Sequence, residues 1–98
     1  MTFEEFMKLE VGDGVIFDGI TATVLRVTDI AKGELVDEYY MTTIARQSMR
    51  ELEIAFVNPR SLKREKRYVI IHPEIPGEVH NRSVLARLQV WDPFGTQQ

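Results

Sequence analysis

Val15-Ile16-Phe17-Asp18-Gly19-Ile20-Thr21-Ala22-Thr23-Val24-Leu25-Arg26-Val27-Thr28 is two β-branched runs divided by Asp-Gly. Asp-Gly between such runs is a strong hairpin signal, because a two-residue turn needs backbone at positive φ. The second run alternates. Thr21, Thr23, Leu25 and Val27 fall on one face, with Ala22, Val24 and Arg26 on the other. A strand pair of this length sets a β framework, and the remainder is read around it.

Upstream, Thr2-x-x-Glu5 fits a capping box, and Phe3, Phe6 and Met7 share one helical face. A short N-terminal helix over about 3–8 is expected, ended by Val11-Gly12-Asp13-Gly14. Downstream, Lys32-Gly33 marks a turn, and Leu35 to Met41 reads as a third strand. Met41, Ile44, Ala45, Ser48, Met49 and Leu52 then recur at helical spacing, so a middle helix over about 42–51 fits better than a strand. The β-branched Thr42, Thr43 and Ile44 weigh against it. Leu52, Ile54 and Phe56 alternate with Glu51, Glu53 and Ala55, a half-buried strand ended by Asn58-Pro59. Tyr68 to Ile71 is a short buried strand. Val84, Ala86, Leu88 and Val90 alternate as a last strand running to Trp91, and 95–98 reads as a frayed tail.

The predicted fold is therefore mainly β, between all-β and α+β: five or six short strands in an open barrel or meander, in one domain over 1–98. Ninety-eight residues with 44% hydrophobic and 28% charged side chains suit one folded core. Val11-Gly12-Asp13-Gly14-Val15, with Phe17 and Gly19 before a long β-branched strand, resembles the opening of small SH3-like barrels. The resemblance covers 11–28 and implies a fold, not a function.

Chemistry is sparse. With no cysteine, disulfides, thiolate metal sites and cysteine nucleophiles are excluded. Ser48, Ser61 and Ser83 lie outside any nucleophile-elbow context, and the glycines form neither a P-loop nor a dinucleotide fingerprint. His72, Glu74, Glu78 and His80 are the one metal-like cluster. Their spacing matches no known ligand set, and a Pro-Gly turn with polar flanks is the better reading. No enzyme activity, metal or cofactor is expected. Met1–Lys8 is too acidic for a signal peptide. Apolar runs such as Val69-Ile70-Ile71 fall far below the ~18 residues of a membrane helix. A cytoplasmic protein without membrane contact is expected.

Charge carries the functional reading. Arg60-Ser61-Leu62-Lys63-Arg64-Glu65-Lys66-Arg67 holds five bases and one acid, in a chain whose net charge is −3. Clustered cations repel one another and gain from a negative partner. On a strand both faces of this run are charged, so it must project as a loop or hairpin arm over 60–67. The leading expectation is a non-enzymatic binding module. Arg60, Lys63, Arg64, Lys66 and Arg67, with Tyr68 beside them, would touch an acidic protein surface, a phosphorylated ligand or nucleic acid. Tyr68 and Trp91 offer stacking for unpaired bases, while the acidic balance argues against a committed nucleic-acid binder.

Two other classes fit the same facts. One is a small inhibitor or sequestering protein of the kind mobile elements encode, with Asp29 to Glu38 mimicking phosphate or protomers trapping a nucleotide. The other is a structural subunit, marked by an apolar patch around Tyr39, Tyr40, Trp91 and Phe94. Residues 1–38 sum to −6 and 39–98 to +3, so a homodimer pairing acidic with basic patches is also in view.

Overall fold

In the computed structural model, which describes residues 1–38 and 40–92, the chain is mainly β. Helix α1 (Phe3–Met7) leads into β1 (Gly14–Phe17) and β2 (Ile20–Ile30). These are followed by β3 (Leu35–Glu38), β4 (Met41–Ile44), β5 (Met49–Val57) and β6 (Arg64–Ile71), then α2 (Val79–Ala86) and β7 (Leu88–Val90). Five strands form one antiparallel sheet in the order β6-β5-β2-β1-β7, and β3 and β4 form a separate two-stranded sheet. The expected tail over 95–98 lies outside the described residues.

Local chemistry sets the first half. Thr2 Oγ1 accepts from Glu5 N at 3.1 Å and Glu5 Oε1 accepts from Thr2 N at 2.8 Å, so the capping box is complete and Phe6 is driven into the core. Asp18 and Gly19 both take positive φ, 50° and 80°. They join β1 to β2 with Phe17 opposite Ile20. Gly14 packs against Trp91: a Cβ there would stand 2.5 Å from Trp91 Cε3.

β2 is paired along both sides, with β1 over its first half and β5 over most of its length. The inward rows are Val15, Phe17, Ala22, Val24, Leu52, Ile54, Val69, Ile71 and Leu88. Phe6 from α1 and Leu85 from α2 cover them. Arg50 ties α1 to the sheet, donating to Met7 O at 2.7 Å while its other nitrogens grip Asp29.

Three expectations are corrected. The helix over 42–51 is absent: 41–44 is β4 and 49 onward is β5. The helical stripe does not mark a buried face, because Met41 and Ile44 are exposed while Ala45 is buried. The β-branched residues go instead to a hairpin, and Met49–Leu52 extend the ladder with β2. Leu35 to Met41 is likewise not one strand, since the chain reverses between Glu38 and Met41. Third, the strand assigned from Val84 begins only at Leu88. Asn81 explains the helix before it. Fully buried, it accepts from His72 N at 2.8 Å and donates to His72 O and Ile75 O at 2.9 and 3.0 Å. That polar anchor pins α2 against the end of β6 and outweighs the period-two pattern.

Replacing Asn81 with Ala leaves these backbone groups buried and unpaired. It should cost about 2–3 kcal/mol, read as a lower urea midpoint with an unchanged slope.

A basic sheet edge as the candidate interface

Among the described residues β6 is paired on one side only. Its odd-numbered residues bond to β5, as the closing pair Asn58 N to Lys63 O (2.9 Å) requires. Its even-numbered residues therefore turn their N–H and C=O groups outward. Two side chains confirm this: Arg67 Nη1 donates to Lys66 O at 2.8 Å, and His80 Nε2 lies 2.8 Å from Ile70 O. Between them the backbone of Tyr68 faces outward on the free edge.

The basic run lies along this edge. Arg60 and Lys63 belong to the connection from β5, and Arg64, Lys66 and Arg67 open β6. Asn58 builds the connection. Its Oδ1 accepts from Arg60 N and Ser61 N at 2.8 and 3.3 Å, its carbonyl accepts from Leu62 N, and Leu62 takes φ 60°. Arg60, Lys63, Arg64, Lys66, Arg67 and Tyr68 are all exposed, so the structure brings the six predicted residues onto one end of the β5–β6 hairpin.

They are not electrostatically equivalent. Arg67 is paired with Glu65 at 3.0 Å and lies over the Phe56 ring at 5.4 Å. Lys66 approaches Glu53 at 3.5 Å. Arg60, Lys63 and Arg64 have no acidic partner among the described residues and carry the unbalanced charge.

Glu53 itself is buried on the sheet face away from the core, between Arg26 of β2 and Tyr68 of β6. Arg26 reaches it at 3.7 Å, extending the positive surface to β2. Sequence alternation placed Arg26 with the inward Ala22 and Val24. A register shift between Val24 and Arg26 turns it outward. The clue was present: a cation in the buried phase of a strand signals a bulge.

Beyond the edge a cleft of about 270 Å³ opens between β6 and the α2–β7 corner. Phe17, Val69 and Val84 form its apolar wall, with Arg67, His80 and Arg87 around it. Arg87 lies over the Phe17 ring at 4.6 Å and grips Asp18, with Nη2 to Oδ2 at 2.6 Å. Sequence reading named His80 only within the metal-like cluster and missed Arg87 and this cleft, because Arg87 meets β6 only through the return of the last strand. The His72 and His80 rings stand 5.0 Å apart, but no three His, Asp or Glu side chains group as a metal site among the described residues. Of the proposed apolar patch, Tyr40 and Trp91 are exposed, while Tyr39 and Phe94 lie outside the described residues. No described helix is long and apolar enough to cross a membrane.

No protein-family model matches the chain, and no curated protein or solved structure matches it.

Glu65 is held below the usual carboxylate range by the Asn58 side-chain amide and then by Arg67. Asp18 is lowered by Arg87 and Asp29 by Arg50. A lowered folded pKa adds stability above the unfolded value and loses it as pH falls through the folded one. Stability should therefore stay level from neutrality to about pH 5 and drop below it. Urea midpoints across that range check this, and Glu65→Gln should flatten part of the drop.

Proposed function

We propose that this protein is a non-enzymatic binding module, a small SH3-like open barrel whose basic β5–β6 hairpin docks on an anionic partner. The observation that carries the reading is the combination on β6 of an unpaired strand edge with three unbalanced cations, Arg60, Lys63 and Arg64, at its entrance. Lys66, Arg67 and Arg26 continue the positive surface, and Tyr68 adds an exposed aromatic ring within it. Charge of this kind draws a partner in and sets its orientation more than it adds to the final affinity.

The acidic rest of the molecule works with this arrangement. The chain is −3 overall while 60–67 is +4, so the rest of the molecule is acidic on balance and biases a polyanion towards this edge. The compartment that fits is the cytoplasm. No residue is assigned a catalytic role.

The test is charge reversal. Arg60→Glu, Lys63→Glu and Arg64→Glu together should abolish retention on immobilised polyglutamate and on a single-stranded oligonucleotide, with the melting temperature nearly unchanged. Retention of the unaltered protein should weaken steeply with salt. A triple variant that binds as well as the parent would overturn the reading. Affinity purification from the host, with and without nuclease, then separates a protein partner from nucleic acid.

A further inference from the structure

The turn between β3 and β4 includes Tyr40, with Glu38 opposite Met41. Two-residue hairpin turns favour Asn-Gly, since left-handed backbone is cheap for those residues. Tyr40 stands there at φ 67° with its side chain fully exposed. An aromatic residue held in disfavoured backbone with its side chain exposed points to a task outside its own chain.

The rest of the arm agrees. Among the described residues β3 and β4 pair only with each other, and an isolated hairpin is marginal in water. Leu35 and Ile44 form a cross-strand pair that is 71% and 63% exposed, and Met41 is 64% exposed. Glu34, Asp37 and Glu38 make the stretch acidic. An apolar, acidic strand pair with free edges is the complement of β6, which has a free edge, cations along it and an apolar cleft beside it.

We propose that the β3–β4 arm of one copy docks along the free edge of β6 in a second copy. The Tyr40 ring sits in the partner's cleft between Arg67 and Arg87, and Asp37 of the arm faces Arg64 and Lys66. This rests on the reading of β6 as an anion-binding edge and names its occupant. The cleft, at about 270 Å³, is below the usual span for small-molecule sites. It suits one aromatic side chain, whose ring face attracts guanidinium groups. Because each copy has one arm and one edge, reciprocal docking closes a two-fold dimer and leaves no free site to propagate.

Light scattering after size exclusion should give twice the 11.3 kDa chain mass, falling to the single mass at high salt. Tyr40→Gly relieves the left-handed backbone, so its melting temperature at a concentration where both proteins are monomeric should match or exceed the parent's. Its dimer dissociation constant should rise at least tenfold. Arg64→Glu with Lys66→Glu, and Asp37→Lys, should each give monomers, and mixing the two reversed proteins should restore the dimer. A parent that is monomeric at its highest soluble concentration, or a dimer that survives these changes, overturns the proposal. If that monomer still binds polyglutamate through Arg60, Lys63 and Arg64, the basic-edge reading stands alone; if it does not, both fall.

Discussion

Strand β6 has a neighbour on one side and solvent on the other, and much of the molecule answers to that fact. An antiparallel sheet that does not close leaves a row of unpaired peptide groups, which invites other strands. Here the row is managed group by group. Arg67 caps the Lys66 carbonyl, His80 meets the Ile70 carbonyl, and Asn81 takes the His72 backbone. The backbone of Tyr68 and of the residues before Lys66 is left open, and cations cluster there. Those charges turn away most strands by desolvation and repulsion, and admit one that carries acids. If an acidic strand docks here as proposed, protection and recognition are the same chemistry at this edge.

The gap between β6 and β7 has the same origin. Helix α2 spans it, with Leu85 in the core and Val84 at the cleft wall. Because α2 is short and anchored at its start by Asn81, it covers the inner half of the gap. The outer half is rimmed by Arg67 and Arg87, each stacked on a phenylalanine, which keeps their guanidinium groups spread and partly desolvated. Both are also paired with acids, Glu65 and Asp18. A guest must compete with those pairs, so the cleft favours a ring face over a bare anion.

Legibility in the sequence followed the range of the interaction. The Asp18-Gly19 turn, the Thr2–Glu5 capping box and the alternation of Leu52, Ile54 and Phe56 depend on neighbours a few residues away, and all three could be read. The basic run could be located because charge excludes burial in any fold. The failures came where distant contacts decide. The stripe from Met41 to Leu52 mimics a helix, yet its residues divide between an exposed arm and a strand paired with β2. Val84 to Val90 mimics a strand, yet a side-chain amide buried from 81 claims the first half for a helix. The cleft was invisible because Phe17, Arg67 and Arg87 are brought together only by the return of β7 beside β1.

Glu53 has one more consequence. It lies in β5 between the inward Leu52 and Ile54, facing away from the core with Arg26 and Lys66 near it. If β5 slid by a single position along β2, every side chain would change face. A carboxylate would enter the apolar interior while two large aliphatic groups left it. Few misalignments of a sheet are so heavily penalised. Glu53 thus acts as a proofreading residue for assembly of the sheet: it adds little to the strength of the correct alignment and makes the nearest wrong one inaccessible.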